Sequence, residues 1–133
     1  MNKLTGKIVL VESSQHMSMV DIDVQGDVLS SIVLETPASA PYLKLGNSVS
    51  LLFKETEVSI AKNLSGLISL RNRFKATVKR IEKSEILTKV FLNYKGNEII
   101  SIISTRSAQK LGLINGDDVE WLVKTNEVSL CNP

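Results

Sequence analysis

The clearest pattern in the chain is the alternation over Met17–Val24, MSMVDIDV, which places Met17, Met19 (or Val20), Ile22 and Val24 on one face. Period two over such a run predicts a half-buried strand. Residues 4–11 (LTGKIVLV) predict a strand before it. Residues 28–34, almost continuously apolar, predict a third strand buried on both faces. Gln25-Gly26-Asp27 between the last two reads as a hairpin turn. Thr36-Pro37-Ala38 predicts a helix start, with threonine as N-cap and proline at the first helical position. Leu45-Gly46-Asn47 is a turn, and residues 49–53 and 58–61 are two further short strands.

The pattern then starts again. Strands are predicted over 74–81 and 86–94, a turn at Lys95-Gly96-Asn97, a strand over 99–104, and a short helix to Leu111. A turn at Ile114-Asn115-Gly116-Asp117 precedes strands over 119–124 and 128–131. A shift of 70 residues superposes the halves without a gap. It sets Asn2 on Asn72, Gly26 on Gly96, Ser31-Ile32 on Ser101-Ile102, Gly46 on Gly116, Lys54 on Lys124, and Glu57-Val58-Ser59 on Glu127-Val128-Ser129. Coincidence at turn glycines and apolar positions is what a repeated fold requires. The chain divides into residues 1–66 and 67–133. Five short strands and one short helix per half suit an OB-type barrel whose helix plugs one end. The predicted class is all-β: two tandem OB-like five-stranded β-barrels, each with one short helix. Units this small bury little core alone, so an oligomer of the chain, dimer or trimer, is expected.

Composition narrows the function. With 133 residues, 43% hydrophobic and 23% charged, the chain is of the soluble globular kind. A formal net charge of +2 gives no broad polybasic surface. Arg71, Arg73, Lys75, Lys79, Arg80 and Lys83, with Glu82 and Glu85 nearby, read as a solvated face. Aromatics are 5% of the chain, and Phe53, Phe74, Phe91 and Trp121 sit in apolar strands, so the stacking track of a single-strand nucleic-acid binder is missing. One cysteine, Cys131, excludes an internal disulfide framework, and together with one histidine, His16, it cannot make a zinc site. Met17 and Met19 beside His16 are explained by the strand alternation rather than by copper. No Ser/His/Asp set, Cys/His pair or glycine-rich phosphate loop is present, so no enzyme is expected. No run of about 18 apolar residues and no leader pattern is present, and the expected location is the cytoplasm.

Two stretches carry candidate chemistry. Ser69-Leu70-Arg71-Asn72 joins a guanidinium, an amide and a hydroxyl. Ser104-Thr105-Arg106-Ser107-Ala108 reads as a helix start with Ser104 at the N-cap and Ser107 three residues on. Cation, N–H donors and O–H donors together suit a small tetrahedral oxyanion, which needs donors only. Arg71 suits a forked contact to two oxygens.

These residues lie in a larger likeness. Ser69-Leu70-Arg71-Asn72-Arg73 resembles the S-A-R-N-Q signature that opens molybdenum-pterin-binding (Mop, or molbindin; TOBE-like) domains. Ile103-Ser104-Thr105-Arg106-Ser107-Ala108-Gln109-Lys110-Leu111-Gly112-Leu113, then Gly116-Asp117-Asp118-Val119, then Val123-Lys124-Thr125-Asn126-Glu127-Val128 continue it in the family's order and spacing. The resemblance implies an OB-like barrel in the tandem di-Mop form, similar to the effector domain of the molybdate-responsive transcription regulator. It implies molybdate or tungstate as ligand, held at interfaces between barrels, with no organic cofactor and no resident metal apart from the oxyanion. Its function would be intracellular molybdenum storage and homeostasis, or sensing for a regulator. Oxyanion-binding residues carried over are Ser69, Arg71, Asn72, Ser104, Ser107, Lys124 and Thr125. The expected partners are the anion and further copies of the chain, with no membrane and no nucleic acid. The alternatives are a structural oligomerisation barrel with a vestigial site, or an OB-type nucleic-acid binder.

The first half departs from the pattern. Met1 stands at the Arg71 position, Leu34 at Ser104 and Pro37 at Ser107, and Glu35 adds a negative charge; Asn2 and Lys54 remain. A complete site is therefore expected from second-half residues, its arginine part and its serine part coming from different chains.

Overall fold

The computed structural model describes residues 1–133. In chain order the strands of the first half are β1 (Asn2–Ser14), β2 (Met17–Val24), β3 (Asp27–Val33), β4 (Ser48–Phe53) and β5 (Ser59–Ala61). Those of the second are β6 (Asn72–Lys83), β7 (Leu87–Tyr94), β8 (Asn97–Ser104), β9 (Asp118–Val123) and β10 (Ser129–Cys131), with helix α1 (Thr105–Leu111) between β8 and β9. Two-residue turns close the β2–β3 and β7–β8 hairpins. Both residues of each have positive φ, 50° and 94° at Gln25-Gly26 and 49° and 85° at Lys95-Gly96, which matches the twist of the flanking strands. The long first strand of each half is bulged, between Ile8 and Leu10 and between Val78 and Arg80. The bulge bends it so that its start pairs with β4 (or β9) and its end with β2 (or β7).

All ten strands are antiparallel, in two sheets ordered β10-β4-β1-β2-β3 and β5-β9-β6-β7-β8. Each sheet takes four strands from one half and its last from the other. After β4 the chain makes one 3-10 turn over Glu55–Glu57, buries Val58, and lays β5 on β9. After β9 it repeats the move over Thr125–Glu127, buries Val128, and lays β10 on β4. The crossings are locked in matching ways. Ser101 Oγ donates to the Val58 carbonyl and Ser31 Oγ to the Val128 carbonyl, both at 2.6 Å. The Asn2 carboxamide takes both main-chain groups of Ile100, and the Asn72 carboxamide both of Ser30, all at 2.8 Å. A single hydrophobic cluster of 22 buried residues runs through both sheets. Its bulk is an aromatic group in which Trp121 stacks on Phe53 of the other sheet (5.4 Å between centroids, planes within 4°) and meets Phe74 and Tyr94 at 5.2 Å.

Three expectations are corrected. The first half has no α-helix, so the class is two OB-like barrels with one helix between them. Thr36 starts a single turn, accepting from the N–H groups of Ser39 and Ala40 at 3.0 and 2.8 Å, but Pro41 stands where α1 has Leu111. It has no N–H and pushes Ala40 out of the helical region. In β2 the buried face is Ser18, Val20, Ile22 and Val24, with Met17 exposed and Met19 half-buried opposite. In β3 only Leu29, Ser30 and Ser31 are buried; Val28 is exposed, as is Leu34 just beyond the strand.

The second-half helix has what its counterpart lacks. Ser104 Oγ caps the Ser107 N–H at 3.0 Å, and Gly112, at φ 60°, turns the chain out of the last turn. Lys62, from the segment after β5, donates to the carbonyls of Leu111 and Gly112 at 3.2 Å and to Asp117 at 2.9 Å. A first-half cation thus holds the helix C-terminus, where the backbone dipole favours positive charge.

Candidate functional site

The crossover after β9 sets the first part of the site. Lys124 leaves β9 in extended conformation and Thr125 opens the 3-10 turn. The linker entering β6 runs alongside, bringing Ser69, Leu70 and Arg71. Ser69, Arg71, Lys124 and Thr125 then line one cavity of about 220 Å³, completed by Leu70 and by Met19 of β2. Four of the seven expected residues are together here, with two cations and no carboxylate in the lining. Two positive charges match the charge of a tetrahedral dianion, and the absence of an acceptor-only group removes the main penalty for burying one.

Arg71 is held from behind. Its Nε–H donates to Ser30 Oγ at 2.9 Å, and the Ser30 hydroxyl donates to Asp21 Oδ1 at 2.7 Å. Nη2 lies 3.9 Å from Asp21 Oδ2. Ser30 is fully buried and Asp21 is 8% exposed, whereas the Arg71 side chain is 58% exposed. The inner edge of the guanidinium is therefore anchored and its outer amino groups stay accessible. An ion pair this open to solvent contributes little to stability, so its effect is on where the guanidinium points.

The other expected residues lie elsewhere. Asn72 is fully buried, and its carboxamide is committed to the Ser30 main chain. Ser104 and Ser107 stand exposed at the start of α1. The Ser104 hydroxyl donates to Ser107 Oγ at 2.9 Å, which leaves the Ser107 hydroxyl proton free for an outside acceptor. Within one chain the serine pair does not line the arginine cavity.

Sequence reasoning did not find Met19, Leu70, Ser30 or Asp21. The acid at Asp21 was visible in MSMVDIDV, but its contacts come from β3 and from the linker into β6. At the matching place in the first half, Lys54 is followed by Glu55, whose carboxylate sits 3.4 Å from the amino group of Met1. Glu35 turns its carboxylate to the Tyr42 hydroxyl at 2.7 Å; burial and this bond raise the Tyr42 pKa.

A family model described as TOBE domain matches residues 68–130. A solved structure of ModG, a cytoplasmic molybdate-binding protein with molybdate bound, superposes with a TM-score of 0.92 at 30% identity. The match covers 99% of this chain and 96% of that one. A molybdate-binding protein from Sporomusa ovata matches at 39% identity and TM-score 0.50, covering 50% of this chain and all (100%) of that one. The molybdenum import ATP-binding protein ModC of Brucella abortus is 38% identical over 87 residues, 65% of this chain. This chain spans only about a quarter (24%) of that relative's length. A match to ModG along the whole of both chains, with the TOBE-domain model on the second half, places the chain in the TOBE-domain, Mop-like family in its tandem form.

Proposed function

We propose that the chain binds molybdate or tungstate as the intact oxyanion, at interfaces between barrels of different copies, and serves molybdenum storage and homeostasis or the sensing step of a regulator in the cytoplasm. The observation that carries this is the convergence of Ser69, Arg71, Lys124 and Thr125 on one cavity without a carboxylate in its lining. Arg71 and Lys124 supply the charge. The hydroxyls of Ser69 and Thr125, and the linker N–H groups beside them, supply neutral donors. The Ser104–Ser107 pair completes the shell from a second chain, because in its own chain it does not line that cavity. Asn72 contributes by fixing the backbone next to Arg71 rather than by touching the ligand. Catalysis has no place in this reading: the anion arrives and leaves unchanged. Sulfate has the same charge and shape with shorter bonds, so a ring of donors sized for the larger anion rejects it.

Titration calorimetry of the purified chain with molybdate, then sulfate and phosphate, tests the proposal, with Arg71→Ala as control. The expected result is molybdate binding at about micromolar Kd or tighter, weak or absent for sulfate and lost in Arg71→Ala. Light scattering should report a dimer or trimer. Absence of heat at millimolar molybdate would overturn the reading and leave a structural barrel pair.

A further inference from the structure

We propose that Ser30 and Asp21, both from the half that has lost its own site, are positioning residues for Arg71, and that the second-half site depends on the first half through them. The consequence for binding rests on the oxyanion reading above; the positioning itself does not.

Hydrogen-bond direction orders the three groups. An ionised Asp21 can only accept. The single proton of the Ser30 hydroxyl goes to Asp21 Oδ1 at 2.7 Å, and Oγ keeps a lone pair for the Arg71 Nε–H at 2.9 Å. The order Arg71 to Ser30 to Asp21 is thus the only one this trio can adopt. Ser30 cannot drift, because Asn72, the next residue after Arg71, grips its N–H and carbonyl. One buried serine is held by its main chain and through its side chain holds the guanidinium. An arginine fixed at Nε presents its two amino groups as a rigid fork, which is the geometry for two oxygens of one anion.

The internal repeat supplies a control. The bulged strands, the asparagine clips and the serine bonds to Val58 and Val128 all occur twice. The barrels need these features. The trio occurs once. Seventy residues from Asp21, Ser30 and Arg71 stand Phe91, Ile100 and Met1, and none of these side chains can make any of the three contacts. Both polar partners are present where the cation is, and both are missing where it is not. The fold forms without them, so their role is tied to Arg71.

The test uses the full chain in two measurements. In ligand-free protein the Arg71 Nε–H nitrogen–proton signal, assigned by its loss in Arg71→Lys, should be resolved and slow to exchange. It should collapse into the averaged arginine signals in Ser30→Ala and in Asp21→Asn. An averaged signal in the wild type, or a slow one persisting in both variants, would overturn the proposal; persistence in Asp21→Asn alone strikes Asp21 from it. In calorimetry with molybdate, Ser30→Ala should weaken binding about tenfold in the wild-type background and have no effect in an Arg71→Lys background, where no Nε–H exists. Equal loss in both backgrounds would mean a structural role and sink the idea. If the wild type takes up no molybdate, the functional reading fails while the ligand-free signal still decides the positioning. The main-chain clip from Asn72 is untouched in Ser30→Ala, and an unchanged unfolding midpoint verifies that the variant is folded.

Discussion

The two halves are one scaffold carrying different loads. Around the crossing, the second half offers Arg71, Lys124 and Thr125 to a shared cavity, while the first offers Met1, Lys54 and Glu55, with the acid pairing to the Met1 amino group. Inside, the aromatic group Phe53, Phe74, Tyr94 and Trp121 has as its counterpart Val123, Leu4, Val24 and Leu51, all buried. Each half has given up something the other supplies. The first has Met1, Leu34 and Pro37 where the second has Arg71, Ser104 and Ser107, but it carries Ser30 and Asp21, which hold the second half's arginine, and Lys62, which holds its helix. The second has lost aliphatic symmetry in its core and reaches across for Phe53. The exchange of β5 and β10 makes this possible, because it puts residues of each half permanently inside the other's sheet.

The largest expected effect tests the shared core. Phe53→Ala should cost about 3–5 kcal/mol, since it leaves the Trp121 ring without its stacking partner in a fully buried place. Val123→Ala, the matching position, removes two methyl groups and should cost about 2 kcal/mol. Chemical denaturation of both variants gives the comparison. Equal losses would mean that neither the stack nor the extra area of the phenyl ring adds to stability at this place, and a two-step transition would mean that the halves unfold separately.

Next in size is the site. Arg71→Ala should weaken molybdate binding by about a hundredfold, while Lys54→Ala, at the first-half counterpart of Lys124, should leave it within about twofold. Comparable losses in calorimetry would show that the first half still holds an anion of its own.

A third comparison concerns β1 and β6. A Cβ on Gly6 would lie 2.4 Å from the Asp23 carbonyl oxygen and 2.6 Å from an Ile22 methyl, yet the matching residue of β6 is Ala76. The first barrel therefore leaves no room for a Cβ at a point where the second holds one. Gly6→Ala should cost about 1–3 kcal/mol, and Ala76→Gly about 1 kcal/mol through backbone entropy. Their difference in unfolding free energy measures how unlike the two barrels are.

What could be read from the sequence depended on range. Gly26 and Gly96 in two-residue turns, β2 as a strand and the Ser104–Gly112 helix signals are local, and each appears in the structure as the residues predict. The first-half helix misled because Thr36-Pro37 is a good start and the obstacle, Pro41, lies at the other end. The face of β2 was ambiguous because Met19 and Val20 are adjacent and both apolar; in the structure Val20 is buried and Met19 half-buried. The strand exchange left no trace in SIA or SLC, because three residues have no period that names a partner. The hold on Arg71 spans 41 residues in sequence and has no motif. Ser69, Arg71, Lys124 and Thr125 were legible through family likeness, but their meeting in one cavity needed the crossover after β9.

The smallest effect separates the halves by titration. Asp117 accepts from the Ile114 N–H at 3.0 Å and from Lys62 at 2.9 Å, and these two bonds hold its carboxyl below the ordinary value of 3.8. The first half has Asn47 at this position, which cannot titrate. A carboxyl whose pKa is lowered on folding adds stability above its unfolded value, and that stability disappears as pH falls through the folded one. The second half should thus carry a small acid-sensitive contribution that the first lacks. Asp117→Asn makes the turns alike: the side-chain carbonyl still serves Ile114, while the charge facing Lys62 is gone. The unfolding midpoint of the variant should lie slightly below wild type near neutral pH, and the gap should close as pH falls below the ordinary carboxyl value of 3.8 and through the lower folded one. Added salt should narrow it at neutral pH, since the pair is partly exposed. A gap that stays constant down to acid pH would assign the role of Asp117 to its hydrogen bond with Ile114, and the tie from Lys62 to α1 would then rest on the carbonyls of Leu111 and Gly112 alone.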